Sequence, residues 1–581
     1  MKRQTVNRDD LKIAQAKERE KYLQAILKSS APKKIIVAGP GTGKTFTFGK
    51  VLELNVEGNN IAMTFIRKLA QDLETSLGHM SEVKTFHAYC KKILHEQNGR
   101  VNLVPYLTSL IKKDAEILGK NLTHFDAKFQ SLDEDSPEVE FYLERGDYYE
   151  VVAFNDAVYR LYKQLQDSSD VLPNFDQILI DEFQDFNPLE VAFIDELEKK
   201  GPILIVGDDD QAIFDERCAS PNYLREKTKS GEYEIYELPF CSRCPKVIVD
   251  ATNSIIVKSK QSGNLKDRIT KRYDCYIADK EEDSKKYSKI ITAHCTNAQS
   301  VATYVRNAIS RIDATDITES WSEGKEYPTV LVVGEKQYLS KVAKVLRKDY
   351  TNLKYAKPEL NEYGVIDGYR EILRIPDSNL GWRILAEIFL NTKDFERILH
   401  ATVDGTPMID ILDDNFLNTH RRVIEILRVI LNEDSVTKKQ KSEMRILIGE
   451  YSNEVVENLL VKTEDEPEID KTQPSILLTS FKGCKGLSAV HVFIVGANNG
   501  SIPKNPHNLR DIEICQFIVA LTRTRKQCHI ISNKWLYNPK YPNGRWRPQM
   551  ERSILLDFIP DDFIQDLGDL NAEKIREIFN E

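Results

Sequence analysis

Residues 34–45 read Lys34-Ile35-Ile36-Val37-Ala38-Gly39-Pro40-Gly41-Thr42-Gly43-Lys44-Thr45. The short apolar run predicts a buried strand, and a glycine-rich turn follows it before a helix opens. Glycines let backbone N–H groups point inward, and the helix N-terminus adds positive potential, so the turn suits a phosphate. Lys44 suits the β- and γ-phosphates and Thr45 suits Mg²⁺. With Ala38, Gly39, Gly41 and Gly43 they form a candidate nucleotide-binding set. Ala38 stands where the general pattern has glycine, and alone the stretch also reads as a Gly-rich turn.

A second stretch narrows the choice. Ile178-Leu179-Ile180-Asp181-Glu182 is an apolar run that ends in two acids. Asp181 suits the Mg²⁺ shell and Glu182 suits activation of an attacking water. A strand followed by acidic capping residues is the plain alternative. Both stretches in this order point to ATP hydrolysis. Other apolar runs, Ile61–Phe65 and Ile203–Gly207, are each followed by a helix-like stretch. A later set comprises Val330–Gly334, Ile476–Thr479, Val490–Gly496 and His529–Ser532. Such alternation predicts α/β domains with parallel sheets.

The composition sets limits. The chain has 581 residues, 41% hydrophobic and 29% charged, with a net charge of −9. This length suggests three to five domains of roughly 100–200 residues each. A disordered, collagenous or uniformly basic protein is excluded. Any nucleic-acid surface must therefore be local. No apolar run approaches the roughly 20 residues that span a bilayer. The charged stretch Met1–Glu20 has no signal-peptide core. A cytoplasmic protein is expected, without a membrane partner. Nine cysteines fit reduced thiols better than a disulfide framework. Cys241-x-x-Cys244 lacks the second pair that a zinc or iron–sulfur site needs.

The motifs that follow resemble those of the UvrD/Rep-like superfamily 1A DNA helicases. Asp181-Glu182-Phe183-Gln184-Asp185 looks like motif II, and Val206-Gly207-Asp208-Asp209-Asp210-Gln211-Ala212-Ile213 like motif III. Thr64-Phe65-Ile66-Arg67-Lys68-Leu69-Ala70 resembles motif Ia, and Thr85-Phe86-His87 motif Ib. Lys485-Gly486-Leu487 sits in a motif V position, and Val519-Ala520-Leu521-Thr522-Arg523 resembles motif VI.

The resemblance implies an α/β fold of two RecA-like parallel-sheet domains of the P-loop NTPase kind. Each is interrupted by a mainly helical insertion. Domain 1A would take residues 1–95 and 151–235, and insertion 1B residues 96–150. Domain 2A would take 236–365 and 472–581, and insertion 2B 366–471. The implied cofactors are ATP and Mg²⁺, and the implied partner is single-stranded or tailed DNA. Gln211 would sense the γ-phosphate or the water, and Arg243 and Arg523 would act as arginine fingers from domain 2A. Adenine would be read by Gln24, which spacing favours over Gln15. Thr64, Phe65, Thr85, His87, Phe214, Arg217 and Lys482 would touch DNA. Core packing is the plain alternative for Phe65 and Phe214. Stepping in this family runs 3′→5′.

The sequence departs from the pattern in places. Motif IV reads Cys241-Ser242-Arg243-Cys244, without the tyrosine that stacks on adenine; Phe240 is the candidate substitute. After motif III, Glu216 occupies the slot of a base-stacking tryptophan. In motif V, Lys482 replaces a histidine and Ser488 replaces a ribose-contacting glutamate. None of these changes touches the catalytic set, so a competent ATPase with an unusual strand grip is expected.

Charge is strongly local. From Ser131 to Glu150 there are eight acids and one base. From Pro503 to Arg552, ten bases face three acids and interleave Trp535, Tyr537, Tyr541 and Trp546. That composition suits a single-strand track, with a solvated surface as the alternative. The tail Ser553–Glu581, with eight acids and two bases, reads as a terminal helix that docks on a partner or on domain 1A. Two functions follow: an ATP-dependent 3′→5′ helicase or translocase, or a DNA-stimulated ATPase subunit that senses DNA ends and regulates a nuclease. Short proteins of this kind occur beside a nuclease in anti-phage systems such as Gabija.

Overall fold

The computed structural model describes residues 8–64, 67–99, 101–322, 327–355, 362–433, 436–459, 470–537 and 548–580. Phe65 of the expected strand contacts lies outside them, as do Lys540, Tyr541, Arg545, Trp546 and Arg547 of the basic stretch.

Two all-parallel sheets organise the chain. The first runs Glu82–Thr85, Asn60–Thr64, Gln177–Ile180, Ile203–Gly207, Lys33–Ala38, Glu234–Leu238. In the strand Lys33–Ala38, Ile35 and Val37 enter one core, while Ile36 and Ala38 enter another on the opposite face. Covering both faces is what a near-continuous apolar strand requires. The second sheet runs Leu353–Tyr355, Ile476–Thr479, Val330–Val333, Ala489–Val495, Thr524–Trp535, Ile290–Asn297, Ile564–Leu570. Leu331 and Val333 face one core, and Val330 and Val332 the other. The expected α/β class of parallel sheets is the observed one.

The strands missed by the sequence reading are mostly edge strands with mixed composition. Glu234–Leu238 is only partly buried, and Leu353–Tyr355 spans three residues. The tail departs from its expectation. It forms short 3₁₀ turns and then the strand Ile564–Leu570, which pairs with Ile290–Asn297. Only its last segment, Ala572–Asn580, is helical, and it packs on the helix Ala298–Ile309.

Two helical segments interrupt the strand order. Leu107–Ile117, Phe125–Gln130 and Pro137–Tyr149 lie between strands of the first sheet. A short ladder of Asn102–Leu103 with Val151–Val152 ties the ends of this segment together. Its aromatic interior, including Phe125, Phe129 and Tyr142, is continuous with the core under the first sheet. The second segment has helices between Val365 and Leu459 and a core of its own around Tyr369, Trp382, Leu427 and Met444.

The two segments meet through buried charge. Asp114 and Arg383 are fully buried, and Arg383 donates to Asp114 at 2.7 and 3.0 Å. Arg145 and the Tyr149 hydroxyl donate to the other oxygen of Asp114 at 3.2 and 2.6 Å. Arg383 also reaches Glu387, which pairs with Lys113 at 2.8 Å. Among the described residues no helix is long and apolar enough to cross a membrane.

Candidate functional site

The glycine-rich turn leaves the C-terminal end of the inner strand Lys33–Ala38 and enters the helix Lys44–Leu52. Gly43 caps that helix in the left-handed region, at φ 95°, a conformation costly for any residue with a Cβ. A Cβ on Gly41 would come within 2.5 Å of Arg243 Cβ. Motif IV is thus seated directly on the turn, and Ser242 N–H donates to the Gly41 carbonyl at 2.9 Å. Ala38 is the buried last residue of the strand. Gly39 faces the Tyr273 ring, whose hydroxyl donates to the Pro40 carbonyl at 3.0 Å.

One cavity of about 290 Å³ gathers most of the expected nucleotide site. It is lined by Gly41, Gly43, Lys44 and Thr45 from the turn, and by Asp181, Glu182 and Gln211 from neighbouring strand ends. Arg243 comes from the loop after the short strand Phe240–Cys241, and from the second-sheet side come Arg523 and a residue that the sequence reading left out, Arg525. Lys44 donates to Glu182 at 2.8 Å. Burial alone would raise the Glu182 carboxyl, but Lys44 and Lys485 beside it hold it well below the usual carboxylate range. Asp181 goes the other way: burial, then the neighbouring Glu182 charge, raise it.

Contacts across the cleft are direct. Arg523 donates to the Gln211 side chain at 3.1 Å, and Gln211 donates to Asp208 at 2.7 Å. Lys485, almost fully buried, donates to the Gln211 carbonyl at 2.5 Å and sits 2.5 Å from Asp185. The acidic run Asp208-Asp209-Asp210 is neutralised locally, with Lys271 2.6–3.0 Å from all three carboxylates. Arg268 binds Asp210 at 2.7 Å and Arg225 binds Asp209 at 3.1 Å. Burial depresses Arg523 to about 10, and the facing charge of Arg243 adds to it.

A Mg²⁺ ion fits the donor set here. The Thr45 hydroxyl and the Asp181 carboxylate line the same cavity, and Asp181 is buried against a second carboxylate, Glu182, which Lys44 already serves. That leaves Asp181 short of a cation.

Beside the turn lies a second cavity of about 410 Å³, walled by Arg19, Tyr22, Phe46, Phe240 and Tyr276 among others. The Arg19 guanidinium stacks over Tyr276 at 4.6 Å. Phe240, the candidate substitute for the missing tyrosine, is buried on this wall. Gln24 does not reach the cavity: its amide turns along the helix to Glu20 at 2.9 Å. Gln15 is likewise occupied, donating to Cys275 O and accepting from Ile277 N. Both glutamines lie on one helix, residues 8–28.

The expected DNA contacts divide. Thr85, His87 and Arg217 line one groove of about 1240 Å³ between the first sheet and the first helical segment, with Lys84, Lys91 and Phe154. Burial, reinforced by Arg217, holds the His87 ring neutral down to about pH 3. Thr64 is fully buried and does not line this groove. Phe214 packs on the second core under the Lys485 ammonium, so its core reading is the observed one. Lys482 and Glu216, the two departures in the strand-contact slots, form an ion pair with each other.

The basic stretch also differs from a strand track. Lys526 binds Asp316 and Glu319 at 2.7 Å each, Lys534 binds Asp569 at 2.6 Å, and Arg552 binds Asp566 at 2.9 Å. The acidic tail strand thus supplies two of the partners. Cys241 and Cys244 are buried thiols of the second core. Tyr273 OH and Cys244 N donate to the Cys241 sulfur at 3.3 and 3.4 Å.

A family profile described as an AAA domain matches residues 23–216. A "Probable DNA helicase II homolog" of Mycoplasma genitalium is 22% identical, covering 92% of this chain and 88% of its own. The corresponding Mycoplasma capricolum protein is 24% identical over 89% of this chain and 84% of its own. The "ATP-dependent DNA helicase PcrA" of Bacillus subtilis is 22% identical over 94% and 86%. In sequence the chain is thus similar to proteins named DNA helicase II homolog and PcrA.

Proposed function

We propose that this protein is an ATP-hydrolysing DNA helicase or translocase that steps 3′→5′ on single-stranded DNA. The observation that carries the proposal is the cavity in which Lys44, Glu182 and Gln211 from the first sheet's strand ends face Arg243 and Arg523 from later in the chain. We read residues 1–95 with 151–235 and 236–365 with 472–581 as the two motor domains. Residues 96–150 and 366–471 are the insertions. The setting is cytoplasmic.

The chemistry follows from the contacts. A triphosphate gives Lys44 a stronger anionic partner than Glu182, so Lys44 leaves that carboxylate. Glu182, ionised and freed, is then the base that orients and deprotonates the attacking water. Thr45 and Asp181 would hold Mg²⁺, which neutralises charge on the phosphates. Arg523, already on Gln211, and Arg243 meet charge developing at the γ-phosphate from the opposite side. Hydrolysis removes the anion that joins the two halves, and the cleft relaxes. The groove beside Thr85, His87 and Arg217 takes the strand.

A second reading, a DNA-sensing ATPase subunit that governs a nuclease, is favoured by one observation. Glu216 stands in a stacking slot and holds Lys482. Two assays decide. ATP turnover should rise when single-stranded DNA is added. Strand displacement on a 3′-tailed duplex separates the readings: DNA-stimulated turnover without displacement by the protein alone leaves only the second.

A further inference from the structure

Arg525 was not among the residues that the sequence marked for the nucleotide site, yet it lines the same cavity as Arg243 and Arg523. Its placement is fixed from two sides. Its Nε donates to Ser488 Oγ at 3.0 Å, and its guanidinium stacks 3.8 Å from the Tyr327 ring centroid. Tyr327 is itself held by Glu319 at 2.7 Å, and Glu319 is taken up by Lys526 at 2.7 Å. Among the described residues, no carboxylate lies within ion-pair distance of Arg525.

Arg523 closes the turn that ends the helix Asp511–Leu521, and Arg525 is the second residue of the strand Thr524–Trp535. Both side chains line the cavity. The lining carries four cations, Lys44, Arg243, Arg523 and Arg525, against two carboxylates, Asp181 and Glu182. Burial lowers Arg525 from its ordinary value, with the charge of Arg243 as the next cause. A lining whose cations outnumber its carboxylates calls for an anionic ligand.

We propose that Arg525 is a third phosphate-gripping arginine of this cavity, holding the polyphosphate tail of a nucleoside triphosphate from the second-sheet side. It rests on the reading of the cavity as a nucleotide site. Because Ser488 and Tyr327 hold the guanidinium in place before any ligand arrives, the grip acts on bound substrate and transition state alike. It therefore sets KM and leaves kcat unchanged.

The test uses the full chain with Arg525→Gln, whose amide can still donate to Ser488, and with Arg525→Lys, which keeps the charge but loses the fork. For Arg525→Gln, KM for ATP should rise about tenfold with kcat within about twofold. Inhibition by inorganic tripolyphosphate should weaken by the same factor, while weak inhibition by adenosine should stay the same. Arg525→Lys should recover part of the loss. A merely structural role would move adenosine and tripolyphosphate together, along with the melting temperature, and would overturn the proposal. So would an unchanged KM, or a fall in kcat at constant KM. If Arg525→Gln fails to fold, Arg525→Lys decides: tripolyphosphate inhibition weaker by about threefold, with adenosine unchanged, supports the grip, and equal inhibition refutes it. Wild-type protein that neither binds nor hydrolyses ATP brings down the nucleotide reading itself. That outcome is distinct from a variant that matches an active wild type.

Discussion

Two regions of the molecule bury charged groups brought from distant parts of the chain, and they do so to opposite ends. Around Asp114, between the helical segments, the charges are satisfied by one another. Arg383, Arg145 and Tyr149 occupy both oxygens of Asp114, and Glu387 answers the second arginine charge while also accepting from Lys113 at the surface. Around Lys44, between the sheets, the arrangement is left open. Arginines converge on a cavity with no carboxylate of their own, and Lys44 leans on a glutamate that the chemistry needs for something else. A charge network that closes on itself makes a fixed joint. One that leaves cations facing space makes a joint that a ligand completes.

The sharpest way to break this contrast is at Lys44. Lys44→Ala should lower ATP turnover about a thousandfold or more, since a cradle cation is lost at the transferring phosphate. Turnover left intact in a steady-state assay would remove the cavity from the mechanism. Arg523→Gln should cost about a thousandfold in kcat, as arginine fingers do, with ATP affinity by titration calorimetry within a few-fold. A pure affinity loss would make Arg523 a binding group only.

The other joint should respond in stability. Asp114→Ala leaves two arginines buried without their partner, and such losses cost about 3–5 kcal/mol. Urea unfolding should read that loss, while turnover per folded molecule stays within about twofold. Equal damage to turnover would mean that the joints are coupled. The smallest effect is expected at Glu216. Both members of its pair with Lys482 are well exposed, and exposed pairs are worth at most about 1 kcal/mol. Glu216→Gln should tighten single-stranded DNA binding about threefold at low salt, with the gain fading as salt rises. Fluorescence anisotropy across a salt series checks both points.

Much of the catalytic side was legible because its chemistry is local in sequence. The glycine turn, the Asp181-Glu182 pair and the Gln211 and Arg523 motifs each carry their reason within a few residues. What escaped was relational. Arg525 looked like one base in a basic stretch, and only the register of its strand and the stack on Tyr327 place it in the cavity. The stretch around it read as a strand track because composition does not show which acid pairs with which base: Asp316 comes from far upstream, and Asp566 and Asp569 from the adjoining tail. Glu216 and Lys482 read as two separate defects, yet they form one contact. Gln24 failed for a local reason: a continuous helix turned it toward Glu20. The edge strand Ile564–Leu570 has too few buried positions to announce itself.

The second sheet also constrains how the chain can fold. Leu353 and Ile476 are register partners on adjacent strands, and a long helical segment intervenes between them. Drawing the ends of a disordered loop together costs chain entropy that grows with the logarithm of its length, about 0.6 kcal/mol per doubling. That segment, however, has its own interior around Tyr369, Trp382 and Met444. Once folded it behaves as a short bridge rather than a long loop, and sheet closure becomes a local event. An insertion with its own core thus spares the second sheet most of the entropy of closing that loop.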